Sequence, residues 1–139
     1  MEFFPVFMDL GGRDCLVVGG GTVAARKLGR LLRAGASVEV VAPQLCEKLV
    51  ALRDAGKIRH SARAHEAADV EDKALVIAAT SRDAVNRSVT QHAKARNIPV
   101  NVEDQPELCS FNMPSIIDRS PVQVAVSSGA TSPVLARLL

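Results

Sequence analysis

Short apolar runs alternate with amphipathic stretches along most of the chain. Cys15-Leu16-Val17-Val18 is continuous and apolar and stops at glycines, which predicts a buried parallel strand over residues 15–18. After it, Val23, Leu28, Leu31 and Leu32 recur at helical spacing, while Arg26, Lys27, Arg30 and Arg33 fall on other faces. Thr22 is the expected cap and Gly35 the left-handed stop. The same reasoning predicts strands over 38–42, 58–61, 75–79 and 100–102, with helices over 45–55, ending near Gly56, and 83–96. Residues 62–73 are polar and give no clear element. Strand and helix in alternation with short connections predict an α/β fold, Rossmann-like and doubly wound, with a mostly parallel sheet, because parallel strands need crossovers and both faces need cover.

The rhythm changes after Asn101. Residues 113–117 and 122–127 read as two strands joined by the turn Asp118-Arg119-Ser120-Pro121, with no helix between them. Ser132 and Pro133 then open a helix that has barely begun at Leu139, so the chain reads as cut off from something longer. The expected organisation is a nucleotide-binding domain over 1–112, then a short β-rich dimerisation segment and the start of a helix over 113–139.

Composition narrows the function classes. The chain has 139 residues, 47% hydrophobic and 23% charged, as a single globular domain would. A net charge of +2 and the absence of Trp and Tyr argue against nucleic acid as a partner. The longest apolar run, 74–79, is far too short to cross a bilayer, and the start Met1-Glu2-Phe3-Phe4-Pro5 does not read as a secretory signal, so no membrane association and a cytoplasmic location are expected. Cys15, Cys46 and Cys109 are expected as buried free thiols, and His60, His65 and His92 as surface residues, with no preassembled metal site.

The chemistry concentrates at the predicted carboxyl ends of the strands. Gly19-Gly20-Gly21-Thr22-Val23-Ala24 matches G-x-G-x-x-A between a strand and a helix, where backbone amides and the helix start can hold a pyrophosphate. The alternative is a helix start that binds nothing. The acid that usually holds the ribose is absent from the end of the second strand; Glu39 lies inside that strand, which leaves backbone around Pro43 and Gln44 to hold the adenosine side. Spacing alone does not separate NAD from NADP. Thr80, after the fourth strand, falls where the nicotinamide side of such a cofactor lies, and it could equally be a helix cap. Glu103 and Asp104 follow the fifth strand, and either could serve as a base or simply form a solvated turn before Pro106. Residues 127–133 offer hydroxyls and amides for a carboxylate, or plain helix capping.

Taken together, several blocks resemble the amino-terminal module of siroheme synthase, which also occurs as a separate precorrin-2 dehydrogenase and sirohydrochlorin ferrochelatase. They are Val17-Val18-Gly19-Gly20-Gly21 with Val23-Ala24 and Arg26-Lys27, Ala78-Ala79-Thr80, Asn101-Val102 with Asp104, Ser110-Phe111, the run from Met113 to Pro121, and Ser127-Ser128-Gly129 with the run from Ser132 to Leu139. The resemblance covers essentially the whole chain. It implies NAD-dependent oxidation of precorrin-2 to sirohydrochlorin, with Fe2+ then inserted as substrate to give siroheme. On that reading Gly19, Gly20, Gly21, Thr22, Val23, Pro43, Gln44 and Thr80 hold NAD, Asp104 is the catalytic base, and Asn101, Arg119 and Ser128 face the polycarboxylate tetrapyrrole.

The chain departs from the family's pattern at Ser81-Arg82-Asp83, where acids are common, and at Glu103, where the aspartate's neighbour is more usually apolar. Family members continue into a helical segment and some add a methyltransferase domain; exposed apolar surface without that segment predicts a homodimer with exchanged carboxyl-terminal elements. A non-catalytic NAD-binding regulatory or dimerisation module is the alternative from another class, and it leaves the late blocks without a purpose. A small generic dehydrogenase is a further alternative, but there is no room for a separate substrate domain and no Tyr-x-x-x-Lys pair.

Overall fold

In the computed structural model, which describes residues 1–127, the described chain forms two compact units: residues 8–110, and residues 1–7 together with residues 111–127. The larger unit is a five-stranded, all-parallel sheet in the order β3-β2-β1-β4-β5, formed by β1 (Asp14–Val18), β2 (Ser37–Val41), β3 (Arg59–Ser61), β4 (Leu75–Ala78) and β5 (Val100–Val102). Helices α1 (Thr22–Arg33), α2 (Glu47–Asp54) and α3 (Asp83–Ala95) connect them. The expected doubly wound fold is therefore present.

The central strands carry apolar side chains on both faces, as a sheet covered on both sides requires; every residue of β4 is buried. On one face Leu16, Val18, Val76, Ala78, Val100 and Val102 pack with Val89 and Ala93 of α3. Strand alternation sends Val17, Val40 and Ile77 the other way. There α1 packs against β1, β2 and β4 with Ala24, Ala25, Leu28 and Leu31 buried. Full burial of side chains such as Leu16, Leu28 and Ile77 contributes about 1.5–3 kcal/mol each.

Register decides where function can lie. Val18 pairs with both Val41 and Ala78, Val41 with Ser61, and Ala78 with Val102. All five strands thus end level, and their following loops emerge along one edge. The order reverses between β1 and β4, which makes the crevice outside their carboxyl ends the place for a ligand in this architecture.

Four local expectations need correction. Thr22 is the first helical residue rather than the cap; Gly21 is the N-cap, and no side chain caps the helix. The polar stretch 62–73 contains a 3-10 turn, Ala67–Val70, whose capping box is formed by Glu66 and Asp69. Cys15 is buried, but Cys46 and Cys109 are only half-buried. His65 is not a surface residue, since its side chain is 3% exposed.

In the smaller unit β6 (Ser115–Arg119) and β7 (Val122–Val126) form the expected antiparallel hairpin, with a cis Ser120–Pro121 bond in its turn. Ile116, Ile117, Val122 and Val124 on it are exposed, as are Phe3, Phe4 and Phe7. Ser128 and the helix expected after Pro133 lie outside the described residues.

Candidate functional site

The loop after β1 is fixed by backbone rather than by side chains. The Gly19 amide donates to the Val41 carbonyl at 3.1 Å, and the Cys46 amide donates to the Gly20 carbonyl at 2.7 Å. A Cβ on Gly19 would lie 2.3 Å from the Ala79 carbonyl oxygen, and one on Gly20 would lie 1.9 Å from that of Gln44. Gly19 also has φ +132°, outside the range of other residues. These two glycines let the loops after β1, β2 and β4 touch. Gly21 differs, because a Cβ there would meet nothing within 4 Å; it opens onto a cleft of about 770 Å³.

That cleft lies at the switch point. Gly19, Gly20, Gly21, Thr22, Val23, Pro43, Gln44 and Thr80 all line it, so the eight residues expected at a nucleotide meet on one surface. The first turn of α1 carries no acidic residue, whereas α2 has Glu47 and α3 has Asp83 in theirs. A helix start of this length presents unsatisfied amides and a partial positive charge. An uncapped start without an acid, opening on a cleft beside a glycine with no Cβ, fits a pyrophosphate.

On the β2 side, Pro43 and Gln44 are exposed, and Glu39 is turned away from the cleft, bonded by Ser61 Oγ at 3.2 Å and paired with Lys73 at 3.6 Å. The residues after β3 also line the cleft, and the sequence did not point to them. Arg63 grips Asp69 with two bonds, Nη2 to Oδ1 at 2.6 Å and Nη1 to Oδ2 at 3.0 Å. Burial pushes the Asp69 carboxyl up, but those bonds and the Glu66 amide outweigh it and hold Asp69 below the ordinary carboxyl range. His65 has one ring nitrogen 3.3 Å from Asp69 and the other 2.9 Å from Nδ1 of His92. Burial lowers its pKa, only partly offset by Asp69. The signal for this cluster lay in the spacing of Arg63, His65 and Asp69, invisible without the turn that folds them together.

On the β4 side, Asn86 of α3 ties down Thr80. Its Nδ2 donates to the Thr80 carbonyl at 3.1 Å, and its Oδ1 accepts from the Thr80 amide at 3.2 Å and from the hydroxyl at 2.7 Å. Thr80 Oγ1 also accepts from the Arg82 amide at 3.2 Å, so the residue both lines the cleft and steadies the start of α3. After β5, Glu103 lines the cleft, while Asp104 is exposed with φ +57°. Asn101, within β5, is 5% exposed, and its Oδ1 accepts from Lys27 at 2.7 Å. Lys27 was expected to face away from the core; its side chain is 11% exposed and forms an ion pair with Glu103 at 2.7 Å. Arg119 stands on the hairpin of the other unit. Among the described residues no cluster of His, Cys, Asp and Glu could hold a metal ion, and no helix is long and apolar enough to cross a membrane.

A parallel sheet with this order, a glycine loop at its switch point and an uncapped helix start define a dinucleotide-binding α/β domain. The chain belongs to the NAD_binding_7 family, described as "Putative NAD(P)-binding", whose model matches residues 6–115. Over its whole length it is 59% identical to siroheme synthase of Thioalkalivibrio sulfidiphilus and 58% identical to that of Methylobacillus flagellatus. It spans 28% and 30% of those two proteins, about three tenths of their length. Among solved structures it is similar to SirC, precorrin-2 dehydrogenase, with a TM-score of 0.83 and 31% identity, over 98% of this chain and 66% of that one. The resemblance to the siroheme synthase module read from the sequence therefore holds along the entire chain.

Proposed function

We propose that the chain is the dehydrogenase module of siroheme formation, oxidising precorrin-2 to sirohydrochlorin with NAD and serving afterwards in the insertion of Fe2+ to give siroheme. The observation that carries the reading is the juxtaposition, along one sheet edge, of an uncapped α1 start and an exposed acid on the neighbouring turn after β5. The amides at the start of α1 would hold the pyrophosphate, Pro43 and Gln44 the adenosine side, and Thr80 the nicotinamide side. The nicotinamide supplies the hydride acceptor. NAD is favoured over NADP because the cations lining the cleft are Arg63 and Arg82 among the described residues, and Arg63, on the β2–β3 side, is already engaged by Asp69.

Asp104 is the proton acceptor in this reading. Precorrin-2 loses one hydride and one proton; the carboxylate takes the proton from the ring carbon and releases it to solvent. In the second reaction the ring exchanges two pyrrole protons for the ferrous ion, and Asp104 receives them in turn. Asn101, expected to face the substrate, is buried and bonded to Lys27, so it is assigned to supporting the turn from beneath; Arg119 and Ser128 are assigned to the substrate's carboxylates, for which a planar guanidinium is well suited. Partners are thus the tetrapyrrole and a second copy of the chain, whose docking would cover the exposed apolar hairpin.

The test is an anaerobic assay of the intact protein with precorrin-2 and NAD, following NADH and sirohydrochlorin. Turnover that Asp104→Ala reduces by roughly 10²–10⁴-fold is expected for loss of a general base. A folded Asp104→Ala protein with undiminished turnover would refute the assignment.

A further inference from the structure

The turn carrying Asp104 is held far more firmly than its backbone requires. The Glu103 amide already donates to the Ala78 carbonyl at 3.1 Å, extending the β4–β5 ladder by one residue. In addition, Lys27 Nζ of α1 lies 2.7 Å from Glu103 Oε2 and donates to Asn101 Oδ1 at 2.7 Å. An ammonium group buried this deeply is costly unless paired, and a buried pair is weak evidence of a gain in stability. Arg26 reaches Glu103 only at 3.5 Å and is 64% exposed, so it contributes little. On the far side of Asp104, the Gln105 amide group donates to the Asp83 carboxylate at the start of α3.

Asp104 therefore stands between two neighbours tethered to different helices. Its backbone is in the left-handed region, which Asp enters more readily than most residues with a Cβ and which fixes the direction of the turn. Its own carboxylate has no ion-pair partner among the described residues. A backbone tethered on both sides and carrying an uncommitted carboxylate is the arrangement expected where a group has to be presented in one place.

We propose that Lys27 and Glu103 are positioning residues: their ion pair, backed by Asn101, keeps the turn after β5 in the conformation that presents Asp104 to the tetrapyrrole. This rests on the reading of Asp104 as the proton acceptor. Because Glu103 also lines the cleft, the effect of the pair on the turn is read from turnover at saturating NAD.

The experiment measures kcat, KM for precorrin-2 and NAD affinity for Lys27→Met, Glu103→Gln and the double variant of the intact protein. Each is made both with Asp104 and with Asp104→Ala. A misplaced catalytic group can cost up to about 10²-fold, so Lys27→Met is expected to lower kcat, measured at saturating NAD, roughly 10- to 100-fold. The double variant will lose no more than Lys27→Met, and neither substitution will lower activity further once Asp104 is Ala. A folded Lys27→Met protein with wild-type kcat overturns the proposal, as do losses that multiply with that of Asp104→Ala. Should Lys27→Met not fold, Glu103→Gln, which keeps the shape and an acceptor oxygen, carries the same test: a lowered kcat supports the proposal and a wild-type kcat overturns it. Full activity of Asp104→Ala alone would instead overturn the underlying reading, and the proposal with it.

Discussion

The loops after β1 and after β5 lie on the same sheet edge and are built by opposite means. The first is a backbone wedge, with Gly19 and Gly20 pressed against the carbonyls of Ala79 and Gln44. The second is held by side chains from elsewhere in the chain, Lys27 gripping Glu103 and Asp83 receiving Gln105. The proposed function accounts for the difference: a loop that lets a pyrophosphate approach its amides is best made of backbone, and one that presents a carboxylate needs directional contacts.

That contrast can be broken most forcefully at Gly20. Gly20→Ala drives a Cβ to within 1.9 Å of the Gln44 carbonyl oxygen, a backbone atom that cannot swing aside. Overpacking of this kind costs about 1–3 kcal/mol and sometimes more, so chemical denaturation should show a loss at the upper end of that range, with NAD binding lost as well. A variant of unchanged stability would mean that the wedge is looser than described.

Gly21 sharpens the contrast because stability and binding are expected to move in opposite directions. Its φ of −94° and ψ of −170° suit an N-cap, and Asp there would accept from a first-turn amide while complementing the helix dipole. Gly21→Asp is predicted to raise stability by a few tenths to about 1 kcal/mol. It also places a carboxylate where the pyrophosphate belongs, and calorimetry should show NAD affinity reduced by tenfold or more, about 1.4 kcal/mol. Retained affinity would remove the pyrophosphate from the α1 start.

A smaller effect is expected from acid. His65 has a folded pKa below its ordinary value of 6.5, so the unfolded chain takes up its proton first. Its contribution is complete above that pH and drains away as the pH falls through 6.5 towards the folded value. Asp69 is held below its ordinary 3.8, so the stability it brings is present above that pH and lost as the pH falls through its lower folded value. Melting temperatures measured between pH 7 and 5 should fall, and His65→Gln should flatten that slope while leaving the steeper loss in stronger acid. Least of all is expected at Arg96, whose pair with Glu71 is half-exposed on both sides; Arg96→Ala should leave the melting temperature where it is.

The same contrast explains what the sequence reveals. The strands, helices and glycine loop follow from local pattern, because burial on both faces of a parallel sheet and a helix start after glycines leave marks within a few residues. The lining of the cleft was readable down to Pro43, Gln44 and Thr80. After β5 the sequence pointed to Asn101, Glu103 and Asp104 but not to Lys27, which on a helical stripe of basic residues looks like solvent-facing charge until β5 is set beside α1. The Arg63–Asp69–His65–His92 cluster was hidden for the same reason: its members lie in a polar stretch without periodicity and on α3, and only the fold joins them.

The most direct test of the account sets Gly21→Asp and Asp104→Ala side by side, with NAD affinity and anaerobic precorrin-2 turnover measured on both. The account predicts that Asp104→Ala binds NAD as the unmodified protein does and turns over precorrin-2 poorly, while Gly21→Asp fails at NAD binding first. Loss of NAD binding in Asp104→Ala, or undiminished turnover in it, would contradict the division of labour between the two loops.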